Sequence, residues 1–132
     1  VFVPAIKLLL AHPHRVINQS INLYFAEKGY LVRVIERVDN IRMFARRWQP
    51  HVMLISSAFG EGDIYAACTT FSSDALLEHI PIIMLLNVDS RQNRLIALES
   101  GVHDVVTQPF DIEELEMRIK AAVRLSTLTG YR

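Results

Sequence analysis

Short, continuously apolar runs separated by segments of helical spacing most constrain what this chain can fold into. Lys7–Leu10, Val52–Ile55, Ile82–Leu86 and Val105–Val106 do not alternate apolar with polar residues. That is the pattern of strands covered on both faces, and so of a parallel sheet. Strand-like and helix-like segments follow each other regularly, which calls for helical crossovers, each right-handed. Such a sheet does its chemistry just past the carboxyl ends of its strands. Those ends read Ala-His-Pro-His (11–14), Ser-Ser-Ala-Phe-Gly (56–60), Leu-Asn-Val-Asp (86–89) and Thr-Gln-Pro-Phe (107–110). They hold no paired carboxylates, no glycine-rich phosphate loop and no lysine.

Five strand–helix units are predicted. Ala5–Leu10 is strand one, and Arg15–Lys28 is helix one, stopped by Gly29, which takes positive φ without a Cβ clash. Leu31–Ile35 is strand two. Helix two spans Asp39–Trp48, with Asp39 as N-cap and Pro50 beyond its end. His51–Ile55 is strand three, followed by the loop Ser56–Asp63 and helix three over Ile64–Glu78. Ile82–Leu86 is strand four. Helix four is capped by Asp89 or Ser90 and ends at Ser100-Gly101. Val102–Val106 is strand five. Helix five starts from an Asp111/Glu114 capping box and reaches at least Leu125. The expected fold is α/β: a doubly wound, flavodoxin-like five-stranded parallel sheet of order 2-1-3-4-5, in three layers.

The 132 residues suit one domain, here 1–132 with its core over about 5–125. A hydrophobic content of 51% and a mean hydropathy of +0.22 fit a sheet buried on both faces. No apolar run approaches the ~20 residues that span a bilayer, and the first residues show no signal-peptide pattern. Formal net charge is +0, so electrostatics argue for neither nucleic acid nor membrane as partner. The single cysteine, Cys68, excludes an internal disulfide and reads as a small core residue. A cytoplasmic location is expected.

Several linked segments resemble the receiver domain of two-component response regulators, CheY-like in fold. Lys7-Leu8-Leu9-Leu10 resembles its first strand, and Gln49-Pro50-His51-Val52-Met53-Leu54-Ile55 the proline-led approach to its phosphoacceptor. Ile80-Pro81-Ile82-Ile83-Met84-Leu85 resembles the fourth strand. The run from Ala97 to Phe110, closing in Thr107-Gln108-Pro109-Phe110, resembles the exit of helix four and the fifth strand. The resemblance covers about Ala5 to Leu125. It implies a phosphoryl-transfer site with an acidic pair holding Mg²⁺, an aspartate that accepts the phosphoryl group, and a hydroxyl and a lysine that bind it.

Carried over residue by residue, the resemblance puts the acidic pair on His12 and Pro13, the phosphoacceptor on Ser56, the hydroxyl on Leu86 and the lysine on Gln108. None of these supplies the implied chemistry. What the resemblance implies is a pseudo-receiver, with the fold kept and the aspartyl switch absent. No cofactor is expected.

Other residues admit two readings each. His12 and His14 are either metal ligands or loop histidines, His12 filling the vacated pocket. Glu61 and Asp63 form either a cation-binding loop or a solvated one. His51 reads as a strand-edge residue. Arg42, Arg46 and Arg47 with Trp48 make either a partner or anion surface, or a solvated face with Trp48 capping the core. On helix five, Ile112, Leu115, Ile119 and Ala122 form one stripe for the sheet. A second stripe, Met117, Ala121, Leu125 and Leu128, either widens the core face or is an interface.

The leading expectation is a non-catalytic signalling and protein-interaction or dimerisation module of a response regulator, in a phosphorelay context. Its partner surface would be helix four, strand five and helix five, with homodimers through that face. The tail 126–132 would lead to an output domain. The alternative is a small-molecule or anion sensor using the vacated pocket, with His12, Ser56, Asn87 and Gln108 as contacts. An enzyme built on a Ser56–His12 nucleophile–base pair is the third reading.

Overall fold

The structure, a computed structural model, describes residues 5–130, with the backbone alone for Glu61 and for residues 127–130. Five strands, β1 (Lys7–Ala11), β2 (Leu31–Ile35), β3 (Val52–Ser56), β4 (Ile82–Leu86) and β5 (Asp104–Thr107), form one parallel sheet of order β2-β1-β3-β4-β5. Five helices connect and cover it: α1 (Arg15–Glu27), α2 (Ile41–Trp48), α3 (Glu61–Ser73), α4 (Arg91–Glu99) and α5 (Ile112–Gly130). This is the flavodoxin-like order that the alternation of elements predicts.

The continuous apolar runs fill two cores, because successive side chains of a strand point to opposite faces. Leu8, Leu10, Val52, Leu54, Ile83 and Leu85 face α1 and α5, whose Ile21, Phe25, Leu115 and Ile119 close that layer. Leu9, Ala11, Met53, Ile55, Met84 and Leu86 face α2, α3 and α4. Every residue of β3 and β4 is buried. Truncating one of these central side chains, as in Leu54→Ala, is expected to cost roughly 2–5 kcal/mol.

Several element ends differ from expectation: β1, β3 and β5 begin at Lys7, Val52 and Asp104 rather than at Ala5, His51 and Val102. Asp39 is not an N-cap: residues 38–40 form a 3-10 turn, and α2 starts from Asn40 without a side-chain cap. The segment 56–63 is less of a loop than its glycines suggest. Residues 57–59 are a 3-10 turn, and α3 begins at Glu61 from Gly60 at φ 116. Helix three stops at Ser73, not Glu78. Asp74 is extended, and its carboxylate accepts the Leu76 N–H at 2.9 Å, a turn that competes with helix. Ser90 caps α4 by accepting the Asn93 N–H, and Asp111 accepts from the backbone of Glu113 and Glu114 at the start of α5.

Candidate functional site

The register gathers the strand ends. Ala11 pairs with Ile55, Ser56 with Leu85 and Leu86 with Thr107, so His12, Ser56, Leu86 and Gln108 emerge side by side. His12 is fully buried. Its Nδ1 accepts the His14 N–H at 3.0 Å, so the neutral ring carries its proton on Nε2. That Nε2 is buried with no hydrogen-bond partner among the described residues. Burial, and then the neighbouring His14 ring, push the His12 pKa down to about 4. At neutral pH this side chain is uncharged. The Asn18 amide holds the His12 carbonyl at 2.8 Å, tying the loop to α1.

Ser56 is buried, and its Oγ accepts the Ala58 N–H at 3.0 Å. No hydrogen bond links it to His12, so the nucleophile–base pair is not assembled. Ser57, also buried, accepts the Asn87 N–H at 2.8 Å and stitches β3 to β4. Leu86 has no exposed surface. Gln108 and Pro13 are half-buried, and the Gln108 N–H donates to the Leu86 carbonyl. Asp89, three residues beyond Leu86, lies exposed in an ion pair with Arg94.

The remaining candidates scatter. The rings of His12 and His14 stand 5.3 Å apart. Among the described residues, no three His, Cys, Asp or Glu side chains come together as a metal-binding group. Asp63 is an exposed residue of the first turn of α3. His51 sits at the strand edge, its Nδ1 accepting the Lys7 N–H at 2.8 Å. Cys68 is buried, and burial pushes its thiol up to about 12, so it is no thiolate. Trp48 packs half-buried against the core beneath Lys7 and Arg33. On α5, Leu115 and Ile119 are buried, whereas Met117 and Leu125 are each 63% exposed. Met117 and Leu125 therefore do not widen the core. Ala121 is half-buried, and the Leu128 side chain lies outside the described residues.

Two polar clusters carry no local sequence signal. Glu116, nearly buried, accepts the Tyr24 hydroxyl at 2.8 Å and the Tyr30 hydroxyl at 3.4 Å, with Lys120 at 3.4 Å. Asp74, its side chain 3% exposed, accepts Arg42 Nε at 2.9 Å and lies 3.6 Å from Arg46 Nε. Two arginines one turn apart on α2 hint at a shared carboxylate, but nothing local names one 28 residues away or more.

No family model matches the sequence. The chain is 28% identical over 126 residues to the transcriptional regulatory protein GltR of Pseudomonas aeruginosa, covering 96% of this chain and 52% of that one. It is 32% identical over 107 residues to the DNA-binding dual master transcriptional regulator RpaA of Synechocystis, covering 80% and 43%. The chain thus spans about half the length of the curated relatives it matches. The receiver domain of the Francisella response regulator 1452 superposes with a TM-score of 0.82 at 25% identity, over 91% of this chain and 98% of that domain. Among the described residues no helix is long and apolar enough to cross a membrane. In sequence the chain is similar to these transcriptional regulators, and in fold to the receiver domain of a response regulator.

Proposed function

We propose that this chain is a pseudo-receiver: a phosphorylation-independent signalling module that acts through protein contacts and catalyses nothing itself. One observation carries the reading. The side chains at the strand ends are His12, Pro13, Ser56, Leu86 and Gln108, where aspartyl phosphorylation needs carboxylates and a cation. Mg²⁺ takes oxygen ligands, mostly carboxylate and water. His12 offers a neutral imidazole whose Nδ1 is already engaged, proline offers nothing, and the Ser56 oxygen accepts a backbone N–H. The donor set does not fit the ion. Gln108 cannot neutralise the charge of a bound phosphoryl group.

The sensor alternative needs room at the same place. His12, Ser56 and Leu86 are wholly buried there, which favours protein contact over a small ligand. The partner surface is α4, β5 and α5, where Leu95, Leu98, Met117 and Leu125 are exposed. Homodimers would form through this face. Residues 5–125 are the module, and the tail 126–132 leads on to an output domain in a cytoplasmic regulator of about twice this length.

The test is incubation with acetyl phosphate, and separately with beryllofluoride, each with Mg²⁺. Intact mass and backbone NMR are the readouts. No adduct and no Mg²⁺-dependent change at residues 11–14, 56–58 or 107–109 is the expected result. A Mg²⁺-dependent adduct at Ser56 or a neighbour would overturn the proposal.

A further inference from the structure

The basic face of α2 is not an ordinary solvated helix surface. Arg42, Met43, Arg46 and Arg47 share one side of the helix and, with Asp39 and Leu76, line a groove of about 540 Å³. Its apolar floor is exposed: Met43 is 64% and Leu76 49% accessible. Both Arg42 and Arg46 reach Asp74 through Nε, at 2.9 and 3.6 Å. Both side chains are otherwise about half exposed, at 51% and 47%. Asp74 is itself held by the Leu76 N–H. The buried carboxylate thus orients two guanidinium groups, leaving their forked ends to face solvent.

We propose that this groove docks an acidic segment of a partner protein, with a large apolar side chain between its carboxylates. A forked guanidinium matches a carboxylate bidentately, and fixing it in advance lowers the ordering cost of binding. Met43 and Leu76 give the apolar side chain its contact, which a bare phosphate or a nucleic-acid backbone would leave unused. The chain has formal net charge +0, so no long-range field gathers a polyanion, and recognition is local. Asp39 on the rim repels a longer acidic run and so limits the register. The surface lies on the opposite sheet face from α5.

The test is selection of a random peptide library on the full chain, followed by NMR titration of the enriched peptide. Expected are sequences with carboxylates flanking a large apolar residue, shifting the amides of residues 39–47 and 74–77. R42K/R46K, which keeps the charge and removes the forks, should weaken binding at least about fivefold. Met43→Ser, at an exposed position that leaves folding intact, should weaken it about threefold. Circular dichroism checks that both variants fold. Enrichment of other sequences, shifts elsewhere, no enrichment, unchanged affinity in folded R42K/R46K, or saturable binding of inorganic pyrophosphate at the same amides as tight as the peptide would each overturn the proposal.

Discussion

His12 makes the stability of this domain acid-sensitive, and the size of the effect follows from its burial. In the unfolded chain its imidazole titrates at the ordinary 6.5, whereas in the folded chain burial, then His14, lowers that to about 4. As pH falls below 6.5 the unfolded chain takes up a proton that folded His12 refuses, so folding weakens. The loss is about 2 kcal/mol near pH 5 and levels off near about 3 kcal/mol below pH 4, where folded His12 protonates too. Against a typical stability of roughly 5–15 kcal/mol this is a large share. Urea denaturation of the wild type and of His12→Leu, near pH 7.5 and near pH 5, isolates it. Leucine removes the titration and the unpartnered Nε2–H together, and the N–H of exposed His14 turns to water. His51 and His103, both also lowered, the first by burial and then Lys7 and the second by burial, are common to the two proteins and cancel. The wild type should lose about 2 kcal/mol more than the variant between the two pH values. Equal losses, or an NMR titration of His12 near 6.5, would refute the reasoning.

Gly101→Ala is expected to destabilise by at least about 2 kcal/mol in urea melts. Its φ is +100, and an added Cβ would clash with the Ser72 side chain; adding Ser72→Gly should recover part of the loss by removing the clash. Ser56→Asp puts an unpaired carboxylate at a fully buried position and should cost about 3 kcal/mol; unchanged stability would mean the strand ends open to water. Glu116→Ala should let the Tyr24 and Tyr30 pKa values, each held up to about 12, fall toward the ordinary 10. Tyr24 should fall further, because its hydrogen bond to Glu116 is its main cause while Tyr30 is held up mainly by burial; NMR titration of the tyrosine ring signals reads each separately.

The sheet was legible because its information is local. Continuous apolar runs mark strands covered on both sides, and two-face alternation within them sorts Leu8 and Leu10 from Leu9 and Ala11 without further knowledge. The absence of carboxylates at the strand ends was equally plain in the residue types. What His12 does there was not. Its burial depends on α1 lying over the strand end, and its tautomer on a single backbone N–H from His14. The Tyr24–Glu116 bond joins residues 92 positions apart, and only the completed layer of α1 against α5 makes it.

Asp74 sets two features that the local sequence does not carry. Read locally, the stretch after Thr69 continues a weak helix, and the arginines of α2 make either a partner or anion surface or a solvated face. The carboxylate ends the helix early and orders the arginines. One oxygen takes the Leu76 N–H, which turns the chain and ends α3 at Ser73. The other takes Arg42 and approaches Arg46, which orders the face of α2. Those bonds, led by the Leu76 N–H and then Arg42, hold the Asp74 pKa below the ordinary carboxylate value against the opposing effect of burial. The carboxylate is therefore charged at neutral pH. The early end of α3 and the oriented arginines rest on one carboxylate but on its two different oxygens. Asp74→Asn, which keeps the Leu76 turn and removes the charge, should leave the helix boundary in place while freeing both guanidinium groups. Backbone shifts would then stay put at residues 73–77, and the Arg42 and Arg46 Nε–H signals would broaden. Loss of the turn with the charge would show that the two roles are not separable.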